Sequence, residues 1–260
     1  MACQSNEKRG RNIALTVAYD GTDFFGFQSQ AGTGLPTIQE TLEDAIFRLS
    51  GERLTVEGSG RTDTGVHAWG QVVNFFTEST IPPGRWTPAL IPYLPESIVV
   101  RESREAPPRF HARFSAKEKT YIYQFYCGSV PSPFYRRYAY LVTYSLDRQA
   151  MREAASYFEG EHDFRAFCAA GTKAKSFIRE IYSCQVDENN PLTTISVRGS
   201  GFLWHMVRII AGTLLEVGAG KRQPQEIPAL LGMGDRKLTG VTLPAHGLIL
   251  HSVDYGAELP

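Results

Sequence analysis

Residues 58–65 read GSGRTDTG, which sets the guanidinium of Arg61 two positions before the carboxylate of Asp63 in a stretch cushioned by Gly58, Gly60 and Gly65. A carboxylate held as an anion beside guanidinium groups is a base or a nucleophile, not a proton donor. A second cation comes from far along the chain. The segment GFLWHMVRIIAGTLLEVG, 201–218, is apolar almost all round and predicts a buried helix from Phe202 to Val217, with Arg208 in its middle. Because a guanidinium keeps its proton and an uncompensated buried charge is costly, a carboxylate must reach Arg208, or Arg208 must border a wet cleft. Asp63 is the expected partner, with Arg61 a second positive neighbour. The same pairing also fits a salt bridge that merely ties two parts of the chain together. Gly212, one turn on, predicts a close approach by another segment, and His205 reads as a core histidine bonded to backbone.

Other chemistries fit less well. Asp63-Thr64-Gly65 matches the aspartic-protease signature, but such enzymes need two carboxylates sharing a proton, and only one DTG is present. The glycines are not a phosphate loop, because no Gly-Lys-Ser/Thr follows. Cysteines at 3, 127, 168 and 184 form no CxxC pair and no Cys/His ligand spacing, so reduced, mostly buried thiols are expected and no structural metal. With 42% apolar and 21% charged residues, the composition is that of a globular protein. No apolar run reaches membrane-spanning length, and the opening MACQSNEKRGR lacks a signal-peptide core, so a cytoplasmic protein is expected.

Net charge is zero, which argues weakly against a nucleic-acid partner, yet the charges are unevenly placed. Between 105 and 140 stand Arg109, Arg113, Lys117, Lys119, Arg136 and Arg137 against two acids, interleaved with Phe110, Phe114 and several tyrosines. Cations among aromatics can contact phosphates and stack on bases. They equally fit a strand edge blunted by charge.

The elements that must position these groups follow from periodicity and caps. Ile13 to Tyr19 reads as a strand. Thr37 with Glu40 makes a capping box for a helix whose apolar face is Ile38, Leu42, Ala45, Ile46 and Leu49, stopped by Gly51. Leu54 and Val56 mark a second strand, Gln71 to Thr77 a third, Thr87 to Tyr93 a short helix, and Ser97 to Arg101 a fourth strand. The second half repeats the order. Lys119 to Cys127 is a strand, Asp147 to Phe158 a helix, and Ile178 to Val186 and Thr193 to Arg198 pair across Asn189-Asn190-Pro191. The helix with Arg208 and a last strand, Gly247 to Val253, complete it. Two β-α-β-β-α-β runs predict an α+β protein of two ferredoxin-like halves, 12–105 and 106–260, with mainly antiparallel sheets joined across a central cleft. Only the first half carries a long loop between its second and third strands, where function sits on a rigid scaffold.

GSGRTDTGVHAWGQVVNF at 58–75 strongly resembles the active-site motif of the tRNA pseudouridine synthase A family. YDGTDFFGFQ (19–28), RFHARFSAKEKTYIY (109–123), HDFRAF (162–167), GFLWHMVRIIAGTL (201–214) and GLILHSVDY (247–255) resemble family segments in family order, from about residue 12 onward. Thr64 stands where family members often carry alanine, a change that leaves the reactive groups untouched.

The resemblance implies isomerisation of uridine to pseudouridine at positions 38 to 40 of the tRNA anticodon arm, without cofactor or metal. Asp63 would be the catalytic aspartate, Arg61 would help turn the target uridine out of its stack, Tyr121 would stack on the extruded base, and Arg208 would pair with Asp63. Phe110, His111, Ala112, Arg113 and Phe114 would contact tRNA, Arg113 most directly, and Gly171, Thr172, Lys173, Ala174 and Lys175 would form a second RNA contact. A homodimer, with each tRNA lying across both subunits, is also implied. Extruding a base costs a few kcal/mol, and an aromatic ring beneath it offsets about 1–3 kcal/mol. Attack on ribose C1′, attack on uracil C6 and prior removal of a ribose proton all remain open routes, and the Tyr121 hydroxyl is a further candidate for proton transfer. The alternative is a non-catalytic tRNA-binding protein of the same fold, against which intact Asp63, Tyr121 and Arg208 speak.

Overall fold

A computed structural model describes residues 10–30, 34–172 and 174–259. Two compact units emerge: the chain up to Lys117 together with Val253 onward, and Glu118–Ser252.

In the first unit the order is β1 (Arg11–Tyr19), α1 (Ile38–Ser50), β2 (Glu57–Gly58), β3 (His67–Thr77), α2 (Trp86–Leu90) and β4 (Ile98–Ala106). Helix α1 begins where the sequence places it. The Thr37 hydroxyl accepts the Glu40 N–H at 3.2 Å and the Glu40 carboxylate accepts the Thr37 N–H at 3.1 Å. Such a cap contributes about 1 kcal/mol. Gly51, at φ 78°, ends the helix in the left-handed conformation. The strands run antiparallel in the order β4-β1-β3-β2, with Ile13 opposite Phe75 and Leu15 opposite Val73. Alternation along β1 sends Ile13, Leu15 and Val17 to one buried face. Phe75 meets Trp86 edge to face at 5.1 Å, and burial of a side chain such as Phe75 contributes about 1.5–3 kcal/mol. A second cluster joins Ala14, Val72 and Ala106 to Phe110, Ala112 and Tyr255.

The second unit contains β5 (Glu118–Cys127), β6 (Tyr140–Val142), α3 (Arg148–Ser156), β7 (Gly160–Asp163), β8 (Ile178–Asn189), β9 (Leu192–Gly199), α4 (Met206–Gly218), α5 (Ile227–Met233) and β10 (Leu248–Asp254), whose last two residues belong to the first unit. Its sheet runs β10-β5-β9-β8-β7, with β6 parallel to β5. Fourth strand, first, third, second: both units share this ferredoxin-like order, and the protein is α+β with mainly antiparallel pairing. Asp147 caps α3 by accepting the Ala150 N–H at 2.9 Å.

Several boundaries differ from the sequence reading. The second strand is Glu57–Gly58 rather than Leu54–Val56, since only those two residues pair with Asn74 and Val73. Strand β3 starts at His67, four residues before Gln71, so the loop shrinks to 59–66. Helix α4 starts at Met206 rather than Phe202. His205, at φ 60°, adopts a left-handed backbone that breaks the helix despite the continuing apolar pattern, and it lies outside the helix rather than on its face. Arg208 therefore sits in the first turn and is half-buried.

Candidate active site

The 59–66 loop is fastened by a buried polar network. The Ser59 N–H donates to Val72 O at 2.8 Å, and the Ser59 hydroxyl donates to Gln71 Oε1 at 2.5 Å. Nε2 of Gln71 donates to Gly60 O at 3.0 Å and, more weakly, to the Tyr19 oxygen at 3.4 Å. The Tyr19 and Thr62 hydroxyls lie 2.8 Å apart, and Thr62 O accepts the Phe27 N–H at 3.0 Å. Tyr19, Ser59, Thr62 and Gln71 are all buried. Burial pushes the Tyr19 phenol up to about 12, against the opposing pull of its bonds to Thr62 and Gln71, so it stays a neutral donor at working pH.

Glycine on the facing 20–27 segment permits close packing against the loop. A β-carbon on Gly26, whose φ is +76°, would fall 2.7 Å from Thr62 O, so the 20–27 segment lies directly against the loop. Beside it, buried His67 holds Nδ1 3.1 Å from the Gly21 nitrogen and 3.2 Å from Asp20 Oδ1. A ring nitrogen that accepts the first contact cannot donate to the second. With Thr62 turned inward, Arg61 is exposed and Asp63 half-buried, and the Val66 N–H closes a turn onto Asp63 O at 3.1 Å. This unit thus presents a carboxylate and a guanidinium from a fixed backbone.

The 107–114 segment is docked by two buried asparagines. Asn12 Nδ2 donates to Pro107 O and Phe110 O, each at 2.9 Å. Asn74 donates to Asn12 Oδ1 at 2.9 Å, and its own Oδ1 accepts the Ala112 N–H at 2.8 Å. Tyr255 donates its hydroxyl to Ala112 O at 2.7 Å and stacks edge-on against Phe110 at 4.9 Å. Phe110 and Ala112 are consequently buried, with their side chains turned into the core. Arg113 and Phe114, the latter 78% exposed, face outward, and His111 is half-buried.

In the second unit Tyr121 lies on β5 opposite Val197, nearly buried, with its ring edge-to-face on Phe202 at 5.1 Å. Arg208 donates from Nε to Leu243 O at 2.6 Å. Its charge partly offsets the burial that raises the Tyr123 phenol, whose hydroxyl donates to Pro244 O at 2.9 Å. The approach expected at Gly212 is made by Val241. Gly171, at φ +82°, and Lys175 are exposed, Thr172 and Ala174 are half-buried, and Lys173 lies outside the described residues. Among the described residues no group of three or more His, Cys, Asp or Glu is placed to hold a metal ion. The sequence reading missed Tyr19, Gln71, Asn12 and Asn74. The available signal was a polar side chain inside an apolar strand run, as with Gln71 before Val72-Val73.

Comparison with known proteins agrees with these motifs. The family model described as tRNA pseudouridine synthase matches residues 15–115 and 154–256. The chain is 48% identical over 243 residues to a tRNA pseudouridine synthase A of Syntrophomonas wolfei, covering 94% of this chain and 97% of that one. Similar proteins of the same description from Caldicellulosiruptor bescii and Moorella thermoacetica are 46% and 45% identical, each over 94% of this chain and 100% and 99% of theirs. The match includes both the anchored loop with Asp63 and the helix with Arg208, and the chain belongs to the tRNA pseudouridine synthase family.

Proposed function

We propose that this protein isomerises uridine to pseudouridine at positions 38 to 40 of the tRNA anticodon arm, with Asp63 as the catalytic carboxylate. The observation that carries the reading is the alternation exposed Arg61, buried Thr62, half-buried Asp63 on a backbone locked from below. The reaction breaks the bond from ribose C1′ to uracil N1 and makes one to C5; N1 gains a proton and C5 loses one, with no redox change. Asp63 starts the exchange. Arg61 fills the space of the extruded base, Tyr121 stacks on that base, and Arg208 pairs with Asp63. A base in a helical stem is out of reach until it is flipped, at a cost of a few kcal/mol.

Arg113, Phe114 and His111 contact the RNA in this reading, as do Gly171, Thr172, Lys173, Ala174 and Lys175. The reading also includes a homodimer and a cytoplasmic location. No helix among the described residues is long and apolar enough to cross a membrane. The test incubates pure protein with unmodified tRNA transcripts and maps pseudouridine. Product at 38 to 40, lost in Asp63→Asn while tRNA affinity is kept, is the expected result. Tight tRNA binding without product in the wild-type protein would make it a non-catalytic binding protein, and full activity in Asp63→Asn would end the role of Asp63.

A further inference from the structure

We propose that Tyr19 and Gln71 are positioning residues for Asp63, acting through the buried hydrogen-bond chain that holds Ser59, Gly60 and Thr62. The inference rests on the role given to Asp63 above. Four successive links make the chain. Ser59 donates to Gln71 Oε1 at 2.5 Å, Gln71 donates to Gly60 O at 3.0 Å and to the Tyr19 oxygen at 3.4 Å, and the Tyr19 and Thr62 hydroxyls meet at 2.8 Å. Either hydroxyl of the Tyr19–Thr62 pair can supply the proton of their shared bond. Three of the four residues before Asp63 are thereby tied to β1 and β3, strands that pair with each other along eight registered positions.

Asp63 itself needs this support. Main-chain bonds hold the loop at Ser59 N–H to Val72 O, Phe27 N–H to Thr62 O and Val66 N–H to Asp63 O, and the carboxylate lies one residue past the last clamped side chain. Displacement of a reacting group by about 1 Å costs roughly 100-fold in rate, so a backbone set by buried side-chain bonds bears on the reaction as well as on folding.

Tyr19→Phe removes one hydroxyl and keeps the ring. Single-turnover pseudouridine formation is expected to fall about 10- to 100-fold per folded molecule, with tRNA affinity unchanged. Thr62→Val approaches the same bond from its other end and should give a similar loss, and the double variant should lose little more than either single one. Phe75→Leu, a core change at the Trp86 contact whose side chain takes no part in the hydrogen-bond chain, is the control. It should lower Tm while leaving the rate per folded molecule intact, which separates positioning from mere stability. Wild-type activity with a full rate in Tyr19→Phe overturns the clamp alone, as does a double variant whose losses multiply. A wild-type protein with no activity overturns the role of Asp63 and the clamp with it.

Discussion

A β-carbon on Gly212 would lie 2.0 Å from the carbonyl oxygen of Val241. Helix α4 and the 239–243 strap thus meet backbone to backbone, and the Gly240 N–H donates to the Thr213 hydroxyl at 2.9 Å across the same contact. Any side chain at 212 must push the strap away. Gly212→Ala should destabilise the protein by about 1–3 kcal/mol, read as a lower urea midpoint. Leu243, two residues beyond Val241, accepts the Arg208 guanidinium, so the rate should fall along with stability.

The two faces of the 109–114 segment separate by experiment. Phe110→Ala opens the cluster with Tyr255 and should cost about 3–5 kcal/mol in denaturant unfolding. Arg113→Ala should leave unfolding unchanged, weaken tRNA binding and reduce the slope of log affinity against log salt by about 1. Unchanged binding in Arg113→Ala would return the basic strip to a solvated edge.

Acid should weaken the start of α1. Hydrogen bonds from the Ser29 and Thr37 hydroxyls hold the Glu40 carboxyl below its ordinary range, an effect only partly opposed by burial. A group depressed in the folded state stabilises above its unfolded value and loses that contribution as pH falls through the folded one. Glu40→Gln should therefore flatten the stability profile on the acid side of about pH 4.5 and lower stability at neutral pH, checked by thermal unfolding across pH.

Thiol chemistry offers a simple probe of packing. Burial raises the Cys184 thiol strongly, with Glu159 adding to it, and burial raises the Cys168 thiol against a bond from Thr172. Iodoacetamide at pH 8 should leave Cys184 unmodified in the native protein and alkylate it once the chain is unfolded, as read by peptide mass spectrometry.

Much of the architecture was legible because local signals agreed with the fold. The Thr37–Glu40 box and Gly51 bounded α1 correctly, and the repeated element order gave the shared strand order of both units. The start of α4 was not legible: Phe202, Leu203 and Trp204 continue the apolar pattern, and nothing in their types announces that His205 turns left-handed. Strands β6 and β7 and helix α5 went unread because three- to seven-residue elements carry too few periods. At the site, Arg61 and Asp63 stood out by type, whereas the clamp beneath them joins residues as far apart as Tyr19 and Gln71, a relation no local pattern encodes. Gly58, one of the glycines that cushion this stretch, makes room for the Phe27 ring.

The first unit is closed by residues made long after the rest of it. Lys117 N–H donates to Asp254 O at 2.9 Å, and Tyr255 plugs the cluster under Ala112, more than a hundred residues after the rest of that unit has been synthesised. A nascent chain leaving the ribosome cannot finish its amino-terminal half until the second half has emerged. Early termination before Tyr255 would spoil the half that was translated first.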